Sequence, residues 1–454
     1  MMRDFLLGGL LVLATSASAQ WSAFCTGNTN GFVVDFAVHD DTLFAAGLFT
    51  QVCSGNGPSV VKWNGNGWED VGGGLPDGGH SLRVIDDVLH LARYEFQNTG
   101  NNVLRWNSGF WSGLGAAVTC SYFDGLAAHP SIYDVIGLNG EVVACGEFDA
   151  VGGDTTIHGI MRWTGTDWAP LGTGLSGSLP PYDIRYPHAM TVWNGDLVVA
   201  GNFTEAGGIT CNGIARWDGA QWHAIGAGFN GAVYGVAEYQ GMLYAGGDFS
   251  ASDGTPMDRI ARWNGSTWES PGFGFPGTSG EFVHSLVEVD GTLFIAGGFQ
   301  EVTQNGSALS CGSILAWDGN SLDLLDGGTD GEVEAVIGWN GGVLIGGDFG
   351  QAGGVAAASL ALWGGGNSMP ETSSSPGLKL YPNPGHGPFT VEVDASDHLD
   401  LEVRDALGRL VERVMLDQGS ATFGAGLAPG GYVLHGAGRA RHFIVVDRAR
   451  QQDL

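Results

Sequence analysis

Six side chains that can bind a metal or a polar ligand recur at one position of an internal repeat. The position lies seven residues before the Gly or Asp that ends the first strand-like segment of each copy, and Val34 occupies it in the first copy. The later copies carry His80, Tyr133, His188, Tyr234, His284 and Glu334 there. Neutral imidazole is a good ligand for divalent metals, and phenol and carboxylate groups hydrogen-bond polar molecules. If these residues face a common channel, they form a polar ring able to hold a metal or a small polar ligand.

A structural role is the competing hypothesis for the same ring. Polar or aromatic side chains at such a position can hydrogen-bond neighbouring repeat units, and histidines in alternate copies would lie across the ring from one another. That separation is large for one metal ion, whose bonds to imidazole are ~2.1 Å long. The sequence therefore leaves the metal unassigned and predicts no cofactor.

The sequence lacks the familiar catalytic motifs. It contains no G-x-S-x-G elbow, no H-E-x-x-H motif, no phosphate-binding loop and no D-x-D-x-D-G calcium loop. The acidic pairs Asp40-Asp41 and Asp86-Asp87 are predicted to be solvated turn residues. No catalytic residue is assigned, although carboxylates brought together from different copies could still act as acid and base, because such pairs leave no local spacing.

The repeat that must position the ring has seven copies. Each contains a phrase such as LYAGGDF, whose closing phenylalanine recurs every 46 to 55 residues at Phe49, Phe96, Phe148, Phe203, Phe249, Phe299 and Phe349. A tryptophan follows in every copy, at Trp63, Trp106, Trp163, Trp217, Trp263, Trp317 and Trp363. Each copy divides into four short runs of β-branched or aromatic residues bounded by turn formers. Four antiparallel strands per copy are typical of a β-propeller blade.

The turn between paired tryptophans predicts where their indoles lie. Asp-Gly is a strong signal for a two-residue hairpin. A turn at residues 218–219 would place Trp217 opposite Ala220 and Trp222 opposite Ala215, with both indoles on one face. The tryptophans are therefore predicted to pack rather than to do chemistry.

The two ends of the repeat region predict a closed ring. The seventh copy stops after its third strand, and the segment WSAFCTG at Trp21 aligns with WHAIGAG, the fourth strand of another copy. The N-terminal strand would thus complete the last blade, which a ring requires and an open solenoid does not. The prediction is an all-β fold in which residues 20–366 form a seven-bladed β-propeller closed by an N-terminal strand.

The N-terminal segment and the charge indicate an exported protein. Arg3, an apolar run and the small residues ending at Ala19 predict a signal peptide over residues 1–19, and no later segment resembles a transmembrane span. With 18 Lys and Arg against 48 Asp and Glu, the net charge is −30, which argues against nucleic acids and anionic membranes as partners. Disulfides persist outside the cytosol, but six cysteines allow 15 full pairings, and buried unpaired cysteines are an equal alternative for some of them.

A shift in composition marks a second domain. Residues 367–377 are rich in Ser, Pro and Gly and are predicted to be a linker. Residues 378–454 lack the repeat phrase, and strand-like alternation appears at residues 389–393, 399–405, 409–416, 431–436 and 442–446. These spacings predict a small antiparallel β-sandwich.

Both regions resemble known families. The phrase LYAGGDF followed by GIARWDG resembles kelch-like propellers and the repeats of the fungal cortical polarity-marker family and its bacterial relatives, over residues 21–366. The segments LYPNPGHGPFTVEV, LEVRDALGRLVERVML and LAPGGYVLHGAGRARHFIVV are similar to the three motifs of the type A C-terminal sorting domain of the type IX secretion system. The matching residues are Pro382, Asn383, Pro384, Gly408, Arg409, Gly430 and Tyr432.

The second resemblance implies a route of export. It implies Sec-dependent export, passage across the outer membrane with the type IX machinery as partner, and frequent removal of the domain with anchoring of its cargo to surface lipopolysaccharide. The tail RARQQDL departs from the family, whose members end close to the last strand. An ordinary sandwich-like binding module is the alternative.

Three functions are compatible with these features. The leading hypothesis is a secreted or cell-surface binding or scaffold protein whose propeller binds a carbohydrate or a protein. It is favoured because the sequence contains features that indicate export and lacks a catalytic motif. The rival is an extracellular hydrolase or lyase with carboxylates or His80, His188 and His284 at the mouth of the channel. A surface-layer component without a discrete ligand is the third.

Overall fold

The computed structural model describes most of the repeat region and part of the C-terminal region. The described residues are 20–75, 78–94, 101–107, 109–120, 130–180, 186–276, 281–364, 379–381, 389–392, 399–405, 410–416, 420–423, 427, 430–436 and 439–445. The predicted signal peptide and the motif residues Pro382, Asn383, Pro384, Gly408 and Arg409 lie outside them. The chain divides into two compact units, Met1–Met369 and Pro370–Leu454.

The first unit is built from small antiparallel sheets. Its described part contains seven four-stranded sheets, numbered here in chain order. Their strands, in spatial order, are: sheet 1, Gly31–His39, Thr42–Phe49, Val60–Trp63 and Trp68–Asp70; sheet 2, Gly79–Ile85, Val88–Arg93, Val103–Asn107 and Phe110–Gly113; sheet 3, Ser131–Leu138, Glu141–Glu147, Ile160–Trp163 and Trp168–Pro170; sheet 4, Tyr186–Trp193, Asp196–Asn202, Ile214–Trp217 and Trp222–Ala224; sheet 5, Val233–Tyr239, Met242–Gly247, Ile260–Trp263 and Trp268–Glu269; sheet 6, Val283–Val289, Thr292–Gly297, Ile314–Trp317 and Leu322–Asp323; sheet 7, Glu332–Trp339, Gly342–Asp348, Leu360–Gly364 and Trp21–Ala23.

Short hairpins and connecting strands extend the loops between the second and third strands. They comprise Gln51–Val52 with Gly55–Asn56; Val118–Thr119 with Ala150–Val151; Leu175–Ser176 with Glu205–Ala206 and Ile209–Thr210; Ala251–Ser252 with Thr255–Pro256; Phe273–Gly274 with Glu301–Gln304 and Ser307–Ser310; and Gln351–Ala352 with Val355–Ala356. One 3₁₀ turn covers Leu325–Gly327.

The seven sheets are arranged in a propeller-like manner. The first strand of each sheet contacts the first strand of the next, and the first strand of sheet 1 also contacts that of sheet 7. Apolar residues fill the space between neighbours. Between sheets 7 and 1, for example, Val33 and Phe36 share a buried cluster with Ala335 and Leu344. Both faces of each sheet are therefore covered, which explains the nearly continuous apolar runs of the second strands.

The N-terminal strand belongs to the last sheet. Trp21 pairs with Trp363 and Ala23 with Ala361, so that the earliest described strand is the fourth strand of sheet 7, in the position that the sequence alignment predicts. The Trp21 indole is buried and donates a hydrogen bond of 2.6 Å to the main-chain oxygen of Leu325, in the 3₁₀ turn that follows sheet 6.

The predicted register of the tryptophan hairpins is wrong. Trp217 pairs directly with Trp222, and their rings lie 5.3 Å apart, so the loop holds four residues rather than two. The reason is the side chain of Asp218, whose Oδ1 accepts hydrogen bonds of 2.8 Å from the main-chain N–H groups of Ala220 and Gln221. Such side-chain-to-backbone bonds offer Asp a local alternative to the two-residue turn. Both indoles still share one face.

The paired tryptophans also join neighbouring sheets. The indole N–H of Trp222 in sheet 4 donates to the main-chain oxygen of Leu171, directly after the last strand of sheet 3, at 3.0 Å. Equivalent bonds, each to the main-chain oxygen of the preceding sheet, are made by Trp111, Trp168, Trp268 and Trp21. In these sheets the tryptophan of the fourth strand therefore fixes the position of its sheet against the one before it.

One disulfide links the N-terminal segment to sheet 1. It joins Cys25, just after the strand of sheet 7, to Cys53 in the hairpin loop of sheet 1. In the part of the chain that the structure describes, Cys145, Cys211 and Cys311 are buried free thiols. The disulfide therefore links the segment that completes sheet 7 to sheet 1.

The second unit contains two antiparallel sheets. One has Lys379–Tyr381, Phe389–Glu392 and Ser420–Phe423; the other, in spatial order, has Leu410–Leu416, Leu399–Asp405, Gly430–Gly436 and Arg439–Val445. The first and fifth of these strands in chain order, Lys379–Tyr381 and Ser420–Phe423, are missing from the sequence prediction. The motif residues Gly430 and Tyr432 lie on the strand Gly430–Gly436 and pair with Val445 and Phe443.

Candidate functional site

Each position of the predicted ring is a β-bulge in the first strand of its sheet. In sheet 4 the pairing passes from Pro187 to Ala189, leaving His188 unpaired between them. The same interruption occurs at Val34, His80, Tyr133, Tyr234, His284 and Glu334. A bulge bends its strand and re-aims a side chain. The repeated bulge is thus the backbone device that turns the seven positions away from the regular pleat.

The structure brings the six chemically active ring residues together. Ring centroids lie 5.0 Å apart for His80 and Tyr133, 5.4 Å for Tyr133 and His188, and 5.5 Å for His188 and Tyr234. His188 of sheet 4 also lies 5.0 Å from His284 of sheet 6. The expectation that histidines of alternate copies are widely separated is therefore wrong. The bulges point their side chains inward, so that they meet across the ring.

Close packing does not turn these residues into a metal site. In the described part of the chain, no three imidazole, thiol or carboxylate ligand atoms of the ring lie within 4.8 Å of one another. A four-coordinate ion with bonds of ~2.0–2.1 Å needs closer ligands. The geometry favours aromatic packing and pairwise hydrogen bonds.

Hydrogen bonds hold the ring side chains in fixed orientations. His188 Nδ1 lies 2.9 Å from the main-chain oxygen of Tyr234; because a carbonyl only accepts, neutral His188 carries its proton on Nδ1. The hydroxyl of Tyr234 donates to Asp248 at 3.0 Å, and that of Tyr133 donates to Glu147 at 3.3 Å. These hydrogen bonds fix ring side chains within sheets 3 and 5 and between sheets 4 and 5.

Sequence reasoning missed the two carboxylates that receive these hydroxyls. Glu147 and Asp248 each stand immediately before the repeated phenylalanine, at Phe148 and Phe249. Comparing the copies at this position would have revealed polar residues, because Glu95, Asn202 and Asp348 occupy it in three further copies. A second polar position therefore accompanies the bulge position in five of the seven copies.

Among the described residues, the only ion pair within the ring joins sheets 6 and 7. His284 Nδ1 lies 2.9 Å from Glu334 Oε2, and both side chains are largely buried. The attraction between the imidazolium and the carboxylate holds the pair together. Burial by itself lowers the pKa of His284, but the Glu334 carboxylate reverses this and raises it above the ordinary value. Burial likewise raises the pKa of Glu334, whereas the His284 imidazolium lowers it overall.

The other two histidines are held neutral. Burial lowers the pKa of His80 to about 4 and, with the nearby His284 charge, that of His188 to about 3. Burial and then the Glu334 charge raise the pKa of Glu332, which stands two residues before Glu334 and interacts with its carboxylate. The ring thus combines neutral imidazoles, phenols, one ion pair and a carboxyl group that protonates readily.

A partly buried network beside the ring was also missed from the sequence. Arg83 of sheet 2 lies 2.6 Å from Asp35 of sheet 1 and 3.4 Å from Asp134 of sheet 3. Asp35 also accepts the N–H of Leu82, and Asp134 that of Met190 in sheet 4. Each aspartate follows its bulge by one residue. These contacts join four successive sheets and explain how the ring keeps its shape.

Comparisons with known proteins identify no close relative. No family model and no curated protein matches the chain. Among solved structures it is similar to the computationally designed protein Ika8, at 13% identity and a TM-score of 0.41 over 75% of this chain and 98% of that one. It is also similar to PorZ, a surface component of the type IX secretion system of Porphyromonas gingivalis, at 16% identity and a TM-score of 0.40 over 93% of this chain and 60% of PorZ.

A third similar structure is YjhT, at 14% identity and a TM-score of 0.37 over 66% of this chain and 99% of that one. These TM-scores are all below 0.5, a level of similarity from which neither fold nor function follows. Across the residues that the structure describes, no helix is long and apolar enough to span a membrane.

Proposed function

We propose that this protein is an exported binding or scaffold protein of the cell surface, built on a closed seven-bladed β-propeller. Three observations support the closed ring: the seven four-stranded sheets, the cyclic contacts of their first strands, and the pairing of Trp21–Ala23 with Leu360–Gly364. Deleting residues 21–25 would remove one strand from sheet 7. We expect a large loss of stability of the whole first unit, and unchanged cooperative unfolding would contradict closure.

The ring of bulge residues, His80, Tyr133, His188, Tyr234, His284 and Glu334, is the proposed ligand-binding site. The observation that carries this proposal is the convergence of bulge side chains from six of the seven sheets on one place, with aromatic faces beside hydrogen-bonding groups. The charged atoms of His284 and Glu334 are engaged with each other, and His188 Nδ1 is engaged with the main chain. The groups that remain available to a ligand are aromatic ring faces and carboxylate oxygens. Such groups suit the binding of a carbohydrate or a protein side chain better than they suit catalysis of a reaction.

A glycan array and a surface-protein array, each probed with the full chain, test the ring. Tyr234→Ala removes an aromatic face, whereas Tyr234→Phe removes only the hydroxyl that bonds to Asp248. Val34→Ala is the matched control, because it changes the same bulge position without touching an aromatic or polar group. Binding that survives Tyr234→Ala as well as it survives Val34→Ala would move the ligand to the loop faces.

The C-terminal unit is proposed to be the sorting domain of the type IX secretion system, and residues 1–19 a signal peptide. The sequence motifs around residues 382–384, 408–409 and 430–432 and the two antiparallel sheets support this assignment. Removing residues 378–454 should leave the protein in the periplasm of a type IX-competent host. Normal surface delivery of the truncated chain would refute the assignment without affecting the ligand proposal.

An extracellular hydrolase or lyase is the second candidate, and one observation favours it. Glu332 and Glu334 stand close together with pKa values displaced in opposite directions, an arrangement found in acid–base pairs. Activity against polysaccharides that depends on pH and is lost in Glu334→Gln and Glu332→Gln would support catalysis. Binding without turnover in the unmodified chain would exclude it for the substrates tested.

A further inference from the structure

A second layer of side chains lies next to the ring in sheets 5, 6 and 7. It occupies the position two residues before each bulge and the position that faces it on the second strand. These facing positions are Ala232 with Asp248, Phe282 with Gly298, and Glu332 with Asp348. We call Asp248, Phe282, Glu332 and Asp348 the Phe282 group. Asp348 is exposed and the other three are half-buried, so a ligand can reach them.

The Phe282 group is continuous with the ring. The aromatic ring of Phe282 lies 5.8 Å from that of Tyr234 and 6.4 Å from that of His284. Asp248 Oδ2 accepts the hydroxyl of Tyr234 at 3.0 Å. Glu332 interacts with the carboxylate that sheet 7 contributes to the ring. An inference drawn from this group therefore rests on the proposed function, in which the ring binds a ligand.

Gly298 makes room for an aromatic ring between the carboxylates. It holds in sheet 6 the position that Asp248 holds in sheet 5 and Asp348 holds in sheet 7. A Cβ atom at Gly298 would come within 3.0 Å of the Phe282 ring. Sheet 6 therefore contributes an aromatic face where its two neighbouring sheets contribute carboxylates.

No lysine or arginine neutralises these carboxylates. From Trp263 to Leu378 the sequence contains 13 Asp and Glu but no Lys or Arg. Among the described residues, the ion pairs of lysine and arginine lie in sheets 1 to 5, and none includes Asp248, Glu332 or Asp348. The imidazolium of the ring is already paired. Asp248 Oδ1 is buried and has no hydrogen-bond partner in the described part of the chain.

Like charges are crowded together in sheet 7. Glu332 pairs with Asp348 across the strands and stands two residues from Glu334. Burial and then the Glu334 charge raise the pKa of Glu332 to about 7, and the Asp348 charge adds to the rise. A cation bound beside Glu332 would favour its ionised form and reduce this repulsion.

The spacing of the Phe282 group suits an organic cation rather than a metal ion. Among the described residues, no three ligand atoms of the group and the ring lie within 4.8 Å of one another. A guanidinium accepts wider spacing, because each of its N–H groups binds a carboxylate oxygen at an N–O distance of ~2.7–2.9 Å. Being planar, it also stacks on an aromatic face while its N–H groups reach carboxylates around its edge.

We propose that the Phe282 group, together with the ring, binds an arginine side chain of a protein partner. The methylene stem packs against Phe282 and Tyr234, and the guanidinium hydrogen-bonds to carboxylates of Asp248, Glu332 and Asp348. A long, narrow side chain suits a site to which three adjacent sheets each contribute one or two groups. The net charge of −30 attracts a basic partner over longer distances.

Fluorescence anisotropy of a short labelled peptide, rich in glycine and with one central arginine, tests this inference when the full chain is titrated in. We expect saturable binding that is at least about tenfold weaker for a citrulline peptide, which keeps the shape of the side chain and loses its charge. Asp248→Asn and Phe282→Leu should each weaken binding about tenfold, through the lost charge and the lost aromatic face. No saturable binding of the arginine peptide would overturn the inference.

Asp290→Asn is the matched control. It removes one carboxylate from the turn after the first strand of sheet 6, eight residues from Phe282, or ~26 Å along an extended strand. Asparagine stands in three equivalent turns, with φ values of 50–53° against 49° for Asp290: Asn139, Asn194 and Asn340. Binding should therefore be unchanged. Equal weakening in Asp290→Asn and Asp248→Asn would mean that the acidic chain attracts the peptide non-specifically, and the inference would fail.

The remaining outcomes separate this inference from the proposed function. Glycan binding that depends on Tyr234, without binding of the arginine peptide, would overturn the inference and leave the ring as the ligand-binding site. Equal binding of the citrulline peptide, or tighter binding of a cationic amino-sugar oligomer, would likewise overturn only the arginine ligand. Arginine-peptide binding that is indifferent to both Tyr234→Ala and Asp248→Asn would overturn the inference and the ring together.

Discussion

Replacing tryptophans by phenylalanine tests whether the indole N–H groups hold the sheets together. Trp222 and Trp68 occupy the same place in sheets 4 and 1, and both are almost fully buried, at 3% and 5% exposure. Trp222 donates to Leu171, whereas the N–H of Trp68 is buried and has no acceptor among the described residues. The two substitutions remove the same atoms from equivalent positions and differ in one hydrogen bond.

The expected difference between the two variants is about 2 kcal/mol. Losing the Trp222 bond costs about 1 kcal/mol, and the cost stays at this level because Leu171 still accepts from Gly174 at 3.1 Å. Trp68→Phe instead removes a buried donor that lacks a partner, and this change by itself raises the free energy of unfolding by about 1 kcal/mol or more. The loss of ring volume is common to both variants and cancels in the comparison.

Urea unfolding of the full chain, followed by circular dichroism, measures the difference. Trp222→Phe should lower the free energy of unfolding by more than Trp68→Phe does, with Trp21→Phe behaving like Trp222→Phe because Trp21 donates to Leu325. Equal losses in all three variants would mean that the tryptophans stabilise by packing alone. A larger loss in Trp68→Phe would refute the reasoning outright.

Three further perturbations have defined outcomes. Cys53→Ala opens a disulfide that closes 28 residues and should cost roughly 3–4 kcal/mol in denaturant unfolding, while an unchanged midpoint under oxidising conditions would contradict its role. His80 and His188 have lowered pKa values in the fold, so the unfolded chain binds more protons; stability should fall as pH drops from 6.5 towards 4, and His188→Phe should flatten this slope. Gly226→Ala places a methyl group 2.7 Å from Trp263 at a φ of 63°, so the melting temperature should fall, and an unchanged value would contradict the close contact.

The repeat made much of the first unit predictable. Short runs of β-branched or aromatic residues, turn residues and recurring Phe and Trp positions led to the prediction of four strands per copy, and the segment at Trp21 led to the prediction that it pairs with the last copy. Comparison between copies also located the ring residues, because repetition places equivalent residues at equivalent points. The hairpin register failed because the Asp218 side chain bonds to the backbone, a local choice that an Asp-Gly pair does not reveal.

Contacts between sheets were beyond the reach of the sequence. Nothing in the spacing of Asp35, Arg83 and Asp134 shows that they meet, because they come from three different copies. The pairing of Cys25 with Cys53 could not be predicted either, because no local rule determines how six cysteines in a repeat pair. The same holds for Tyr234 and Phe282, whose proximity depends on how two sheets stand beside each other.

The sequence by itself determined the strand periods, the number of repeat copies and the identity of the residues at each repeated position. These are local properties, set by side-chain type and by the alternation of a pleated strand. Only the tertiary structure decided which side chains are charged and which have a hydrogen-bond or ion-pair partner. Ionisation and hydrogen bonding depend on distance and burial between segments far apart in the chain, as the His284–Glu334 pair and the neutral His80 and His188 illustrate.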